Sequence, residues 1–269
     1  MNLNELKLYM QKQAESRNSM LMLERHQYIL ETLQREGKVL ASTLSRELVV
    51  SEDTIRRDLQ KLAEAGKLQR VHGGALPRTP LMGSYSTRQK VASESKTALA
   101  KTALQLIKSQ QVIIMDAGTT LLQVAHHLPH DLSATIITNS PPIAVALADH
   151  DRLEVILIGG TLLKAEQVTI GAVAVEALHQ IRADLCLMGV CSLHPEIGLS
   201  VNSFEEAQVK RAIIISSAEV AALVSSSKLG TATNYTVAPL TELTHLVVES
   251  HVSDELLQPY QKSGITILK

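Results

Sequence analysis

Aromatic residues are scarce. The 269 residues include one Phe, five Tyr and no Trp, 2% in all. Any core must therefore be filled by Ala, Val, Ile and Leu, which suits sheets and helices packed in layers. Cysteine is almost missing: Cys186 and Cys191 stand alone, without a CxxC spacing, so neither a disulfide framework nor a zinc cluster has support. Cys186 lies in the apolar run Leu185-Cys186-Leu187-Met188 and reads as a buried thiol. No stretch of about 18 apolar residues occurs, which excludes an ordinary membrane span. Glu5, Lys7, Lys12, Glu15 and Arg17 interrupt any signal-peptide core, so a cytoplasmic location is expected. Net charge is only −1; any contact with nucleic acid must come from a local basic patch. GxGxxG and GxxxxGK[ST] are both missing, which leaves a nucleotide-binding switch without its usual loops.

What remains is 45% apolar sequence, long enough for two ordinary domains. The expected division is an N-terminal extension over 1–22, a helical domain over 23–76, a linker over 77–95 and an α/β domain over 96–269. The linker reading rests on Pro77, Pro80, Gly83 and neighbouring Ser and Thr. Beyond it, strands are predicted at Val112–Met115, Ala134–Thr138, Leu153–Ile158, Ala183–Met188, Val220–Val224, Leu246–Glu249 and Ile265–Leu268. Helices are predicted at Ala98–Ile107, Leu121–Leu128, Ile143–Ala148, Ala172–Leu178, Glu205–Ser216 and Asp254–Lys262. Such alternation implies a mostly parallel sheet with helices on its faces.

In the N-terminal domain, helices are predicted from about Glu24 to Arg35 and from about Ala41 to Leu48. After a Val49-Val50 turn, Ser51 offers a hydroxyl N-cap to a third helix, and Glu52 and Asp53 suit its positive end. Ile55, Leu59 and Leu62 form one buried stripe, with Arg56, Arg57 and Lys61 flanking or opposite it. Five Lys or Arg against two acidic residues fall between Arg56 and His72. Gly66 ends the helix, and Leu68 to Ala75 fits a small hairpin wing. By spacing alone this is either a DNA-reading module or a structural three-helix unit with a solvated charged face.

The string Ser51-Glu52-Asp53-Thr54-Ile55-Arg56-Arg57-Asp58-Leu59, with Leu62, Gly66, Leu68, Arg70 and His72-Gly73-Gly74-Ala75, resembles the signature of the DeoR family of bacterial regulators. Arg25, Ile29, Leu30 and Gly37 match its first helix. The resemblance implies a winged helix-turn-helix that binds a double-stranded DNA operator, with Ser51, Thr54, Arg56, Arg57, Lys61, Arg70 and His72 as candidate contacts. One departure is Val49-Val50, where the family more often has an aromatic near the turn.

Farther along, Asp116-Ala117-Gly118-Thr119-Thr120 joins a strand to a helix start, where N–H groups, hydroxyls and the dipole favour an anion. By itself such a string is a turn and an N-cap. Thr138-Asn139-Ser140 and Gly159-Gly160 end the next two strands, however, and in parallel sheets ligands collect at the carboxyl ends of strands. Glu206 and Lys210 taken alone are an i, i+4 ion pair on a helix. In order and spacing, these strings together with Ser226-Ser227-Lys228 resemble the DeoR effector domain, whose fold is similar to ribose-5-phosphate isomerase and glucosamine-6-phosphate deaminase. The resemblance implies a phosphorylated sugar as effector. Its candidate ligands are Asp116, Gly118, Thr119, Thr120, Thr138, Asn139, Ser140, Gly159, Gly160, Glu206, Lys210 and Lys228. Ser225 departs from the Asp that commonly precedes the Ser-Ser-Lys run.

His126, His127 and His130 read as surface histidines rather than metal ligands, since adjacent helical positions diverge by about 100°. No cofactor or catalytic residue is expected. The leading expectation is a sugar-phosphate-controlled repressor acting as a homo-oligomer, dimer or tetramer. The alternative is a sugar-phosphate isomerase or deaminase with an appended DNA-binding domain, which would need a positioned acid–base pair.

Overall fold

A computed structural model describes residues 22–78, 83–91 and 93–269. The chain forms two compact units that divide between Arg78 and Thr79. The expectation for residues 1–21 lies outside the described residues.

In the first unit, α1 (22–36), β1 (Val39–Leu40), α2 (Ala41–Glu47) and α3 (Glu52–Glu64) precede a hairpin of β2 (Gln69–Val71) and β3 (Gly74–Leu76). The hairpin and β1 form an antiparallel sheet in the order β1-β3-β2. Ile29, Leu33, Leu44, Ile55, Leu59 and Leu62 close a small core, so the apolar stripe read from the third helix faces inward. Two glycines serve its turns. Gly66, at φ +69°, allows Lys67 N–H to reach Leu62 O at 2.9 Å and Gly66 N–H to reach Ala63 O at 2.9 Å, a Schellman end to α3. A Cβ on Gly74 would stand 1.9 Å from Val39 O, so only glycine lets β3 pass β1 there. Val49 sits exposed at φ +53°; an aromatic at that position would gain nothing from packing.

The second unit begins with α4 (Tyr85–Lys90) and α5 (Ser93–Ala103). Alternation follows: β4 (Val112–Met115), α6 (Thr119–His126), β5 (Ala134–Thr138), α7 (Pro141–Ala146) and β6 (Leu153–Leu157). A hairpin of β7 (Thr161–Leu163) and β8 (Val168–Ile170) leads to α8 (Ala172–His179) and β9 (Ala183–Gly189). Then come β10 (Ser192–His194), β11 (Gly198–Val201), α9 (Phe204–Ile215), β12 (Ser217–Leu223), β13 (Tyr235–Ala238), β14 (His245–Val247), α10 (Asp254–Gln261) and β15 (Thr266–Leu268). Seven strands form a parallel sheet in the order β15-β14-β12-β9-β4-β5-β6. Side chains alternate between its two faces, as the strand period requires. Leu185 and Leu187 pack with the α5 and α6 core, while Cys186 and Met188 pack with the α8 and α9 core. Cys186 is buried, as its apolar neighbours predict.

The stretch read as linker departs from that reading. Residues 85–90 are helical, and Tyr85 is buried in the α5 and α6 core. One aromatic anchor outweighs a polar, Pro- and Gly-containing composition that gives no periodic signal. α6 and α7 both start two residues before the predicted point. Their first turns are Thr119-Thr120 and Pro141-Pro142, residues that suit a helix start without adding to the apolar period.

Candidate functional site

Two surfaces follow from this fold. On the first unit, Ser51 caps α3: its Oγ accepts from Thr54 N–H at 3.2 Å and lies 2.9 Å from Thr54 Oγ1. The opposite face from the buried stripe carries Arg56, Arg57, Gln60 and Lys61, and with Arg70 of β2 they line one groove. Arg56 and Arg57 pair with Glu52 and Asp53 of the same helix, at 2.9 and 2.7 Å, and all four side chains are largely exposed. Such pairs are weak and readily exchanged for phosphates. Arg70 donates to Gln60 Oε1, which ties the wing to α3. His72 is exposed at the wing's tip. The helix is held from below by Asp58, whose buried carboxylate accepts from Arg25 Nε at 2.7 Å and Nη2 at 3.2 Å, with His26 Nε2 3.0 Å away. Asp58 thus sets the position of α3, a role that helical periodicity alone does not reveal.

The second surface is the carboxyl edge of the parallel sheet. The strand order reverses between β4 and β9, and ligands bind α/β sheets at such a switch point. Asp116 follows β4 and Gly189 ends β9. Asp116 Oδ2 accepts from Gly189 N–H at 2.9 Å and from Lys210 Nζ, which also donates to Gly189 O at 2.9 Å. A Cβ on Gly189 would lie 2.1 Å from Ala117 O, so the close approach of the two strand ends requires glycine. Glu206 Oε1 is 3.7 Å from Lys210 Nζ. The i, i+4 pair expected on α9 therefore exists, but it is the lesser contact of a buried lysine rather than a solvated pair. Burial favours neutral Lys210, yet Asp116 and Glu206 outweigh it and raise its pKa. Burial likewise raises Glu206, against the pull of Lys210.

Gly118 (φ +127°) precedes α6, and a Cβ there would meet nothing within 4 Å. Among the described residues no side chain caps α6, so the amides of its first turn have no cap partner. Thr138, Asn139 and Ser140 are buried behind β5; Thr138 Oγ1 accepts from Ser140 N–H at 3.1 Å. Asn139 Nδ2 donates to Thr169 O at 3.2 Å, whereas Asn139 Oδ1 and Ser140 Oγ have no partner among the described residues. Gly159 and Gly160 follow β6 in exposed positions. A Cβ on Gly160 would come within 2.6 Å of Ile170 O, so packing against β8 already accounts for that glycine. Lys228 lies in the short 3₁₀ turn after β12 and donates to Val190 O at 2.6 Å. No carboxylate pairs with it among the described residues. Burial first, then the charges of Arg88, Lys210 and Lys96, lower its pKa to about 8.

The twelve candidate ligands thus share one edge of the sheet, and the structure adds four residues that the sequence does not single out. Glu249, after β14, accepts from Ser95 Oγ at 2.6 Å and from Ser226 N–H at 2.7 Å, joining α5 to the turn that carries Lys228. Glu166, in the β7–β8 turn, pairs with Arg88 of α4 at 2.5 Å. Lys96 donates to the carbonyls of Arg88 and Val91. Among the described residues no group of three or more His, Cys, Asp or Glu is placed to hold an ion. Among the same residues, no helix is long and apolar enough to cross a membrane.

A winged helix-turn-helix followed by an α/β domain with a parallel sheet defines the class: a DNA-binding transcriptional regulator with a sensor domain. Comparison with known proteins specifies it further. Residues 25–79 match the DeoR-like helix-turn-helix domain and residues 91–250 the DeoR C terminal sensor domain. The chain belongs to the DeoR family, and it is a regulator rather than an enzyme. It is 32% identical to the HTH-type transcriptional regulator GlpR of Haloferax volcanii, over 93% of this chain and 98% of that one. It is 34% identical to the HTH-type transcriptional repressor GlcR of Bacillus subtilis, over 91% and 95%. With the glycerol-3-phosphate regulon repressor of Escherichia coli it shares 32% identity over 78% and 84%. A solved ribose 5-phosphate isomerase A from Methanocaldococcus jannaschii aligns with 51% of this chain and 54% of that one, at TM-score 0.38 and 17% identity.

Proposed function

We propose that the protein is a repressor of carbohydrate genes whose hold on its operator is set by a phosphorylated sugar. The observation that carries the effector half is unused hydrogen-bonding capacity at one sheet edge. Among the described residues, the first turn of α6 has no side-chain cap and offers amides, Ser140 Oγ and Asn139 Oδ1 are buried without partners, and the Lys228 ammonium bonds a carbonyl and no carboxylate. Buried polar groups are costly unless a ligand or water satisfies them. A phosphate on the α6 amides and Lys228, with sugar hydroxyls on Asn139, Ser140 and Thr138, uses all of them. Gly118 and Gly159 leave room for that approach; Asp116 and Glu206 supply acceptors, although Asp116 is already engaged by Lys210. The names of the Bacillus and Escherichia relatives, both called repressors, support the same reading.

On the DNA side, Thr54, Arg56 and Arg57 approach bases or phosphates in the major groove, with Ser51 and Lys61 beside them, and Arg70 and His72 bring the wing to the backbone or minor groove. One α3 reads few base pairs, so the working form is a homo-oligomer that spans two half-sites. Its place is the cytoplasm, where the operator is. A thermal-shift screen of sugars with and without phosphate tests the effector assignment. A phosphorylated sugar is expected to raise the melting temperature where its unphosphorylated parent does not. Equal response to both removes the phosphate cradle.

A further inference from the structure

The sensor-edge residues named above include four basic and four acidic groups. Arg88, Lys96, Lys210 and Lys228 stand against Asp116, Glu166, Glu206 and Glu249. Lys228, without a carboxylate partner among the described residues, is open to a dianion as it stands, and a second cation adds to it where it can turn from its present carboxylate to the ligand. Lys210 cannot be that cation, because it is buried and fixed at three points by Asp116, Gly189 and Glu206. Arg88 is built differently. It sits on α4 and its partner Glu166 sits in the β7–β8 turn, with side chains 23% and 35% exposed against 5% and 1% for Lys210 and Asp116, so parting this pair uncovers far less buried charge. Only one edge of its guanidinium is used: Arg88 Nε is buried and has no partner among the described residues. A guanidinium has five N–H donors in a fork that matches phosphate, and here part of that fork is vacant. Lys96, which donates to the Arg88 carbonyl, follows Ser95, whose hydroxyl bonds Glu249 at the Lys228 turn, and so ties α4 to the crevice.

We infer that Arg88 is a further ligand of the effector's phosphate, exchanged from Glu166 to the anion on binding, and that α4 thereby reports occupancy. This rests on the anion site proposed above. The position of α4 gives the exchange a consequence. It is the first described helix after the boundary at Arg78, so Arg88 stands at the start of the sensor unit. Lys96 holds the carbonyls at the end of α4, and Ser95 next to it is bonded to Glu249, which also holds the Lys228 turn. The far end of α4 is thereby anchored to the sensor edge, Tyr85 anchors its near end in the core with its ring 5.8 Å from the Arg88 guanidinium, and the Arg88–Glu166 contact is the more exposed part left to change.

The test uses the full chain, inorganic phosphate as probe and chloride at matched ionic strength as control, with affinity from calorimetry and amide exchange over residues 85–91. Arg88→Ala is expected to weaken phosphate at least about tenfold, the scale of a charge-assisted hydrogen bond. Glu166→Gln is expected to tighten it several-fold by releasing Arg88, and that gain should vanish when Arg88→Ala is added. Phosphate should alter exchange over 85–91 in the wild type and not in Arg88→Ala. If Arg88→Ala does not fold, Glu166→Gln alone decides: it should speed exchange over 85–91 without phosphate and lose that excess when phosphate is added. Unchanged affinity in Arg88→Ala, a Glu166→Gln gain that persists without Arg88, or unchanged exchange in Glu166→Gln overturns the inference. Loss of binding in Lys228→Ala with none in Arg88→Ala removes Arg88 and leaves the crevice standing. No phosphate binding by the wild type, or full binding by Lys228→Ala, removes the crevice itself.

Discussion

Lys210 and Asp116, 94 positions apart, form a buried ion pair at the point where the strand order of the parallel sheet reverses. Breaking such a pair from one side leaves the other charge buried alone. Lys210→Ala or Asp116→Ala should each destabilise the sensor unit by about 3–5 kcal/mol in urea unfolding. The double variant Asp116→Asn/Lys210→Met should lose much less than the sum. Additive losses would show that the two groups do not act as a pair. Since Lys210 carries this load, the cleaner probe of effector binding is Lys228.

Lys228 gives the site a pH dependence. Its pKa is lowered to about 8 in the free protein, chiefly by burial. A bound dianion favours the charged ammonium, so binding above that value must take up a proton. Affinity for a phosphate ester should therefore be flat in this respect from pH 7 to about 8 and fall above it. Lys228→Arg, charged throughout this range, should flatten the fall. Calorimetry between pH 7 and 9.5 measures it; an affinity that rises with pH contradicts the assignment.

Asp58 holds α1 against α3 through Arg25 and His26. Asp58→Ala should cost the first unit about 2–3 kcal/mol, because it removes two charge-assisted bonds at a buried carboxylate. The sensor unit's unfolding should not change. Loss of operator affinity in this variant would be a consequence of misplacing α3, visible as loss of helical signal from the first transition.

Arg56 and Arg57 are exposed, on the face of α3 opposite its buried stripe, so replacing them should not affect folding. If Arg57 reads a guanine, Arg57→Ala should cost about 1–3 kcal/mol at one base pair. A phosphate contact instead predicts a uniform loss and a salt slope smaller by about one. Undiminished operator binding by folded Arg56→Ala/Arg57→Ala excludes α3 as the reading helix.

Much of this is legible in the sequence because two periodicities run through it. Ile55, Leu59 and Leu62 mark the inner face of α3, and Ala134–Thr138 and Val112–Met115 are apolar runs long enough to declare themselves buried strands. The hairpin β7–β8 and the small sheet β10-β11-β13 are not legible: unlike the unbroken run Val112–Met115, these three- and four-residue strands each contain Thr, Ser, Gly or His and show neither an apolar run nor an alternation long enough to count. The candidate ligands followed by strand ends are recognisable because topology brings strand ends together. Arg88, Lys96, Glu166 and Glu249 reach the same edge through tertiary packing of a polar segment, a hairpin turn and a strand end, and local sequence carries no sign of it. The dominance of Asp116 over Glu206 as partner of Lys210 is likewise a long-range fact; only the i, i+4 neighbour is visible in a helix pattern.

The central claim is that sensor occupancy changes operator affinity through the phosphate-binding edge. After selection of a binding site from random DNA, operator affinity of the full chain is measured by fluorescence anisotropy at fixed salt, with and without the phosphorylated sugar found in the thermal-shift screen. The account predicts a change of about 5- to 150-fold in the wild type, the usual range of such coupling, and retained operator binding with no such change in Lys228→Ala. Operator affinity that is the same with and without every phosphorylated sugar, or a response that survives in Lys228→Ala, contradicts it.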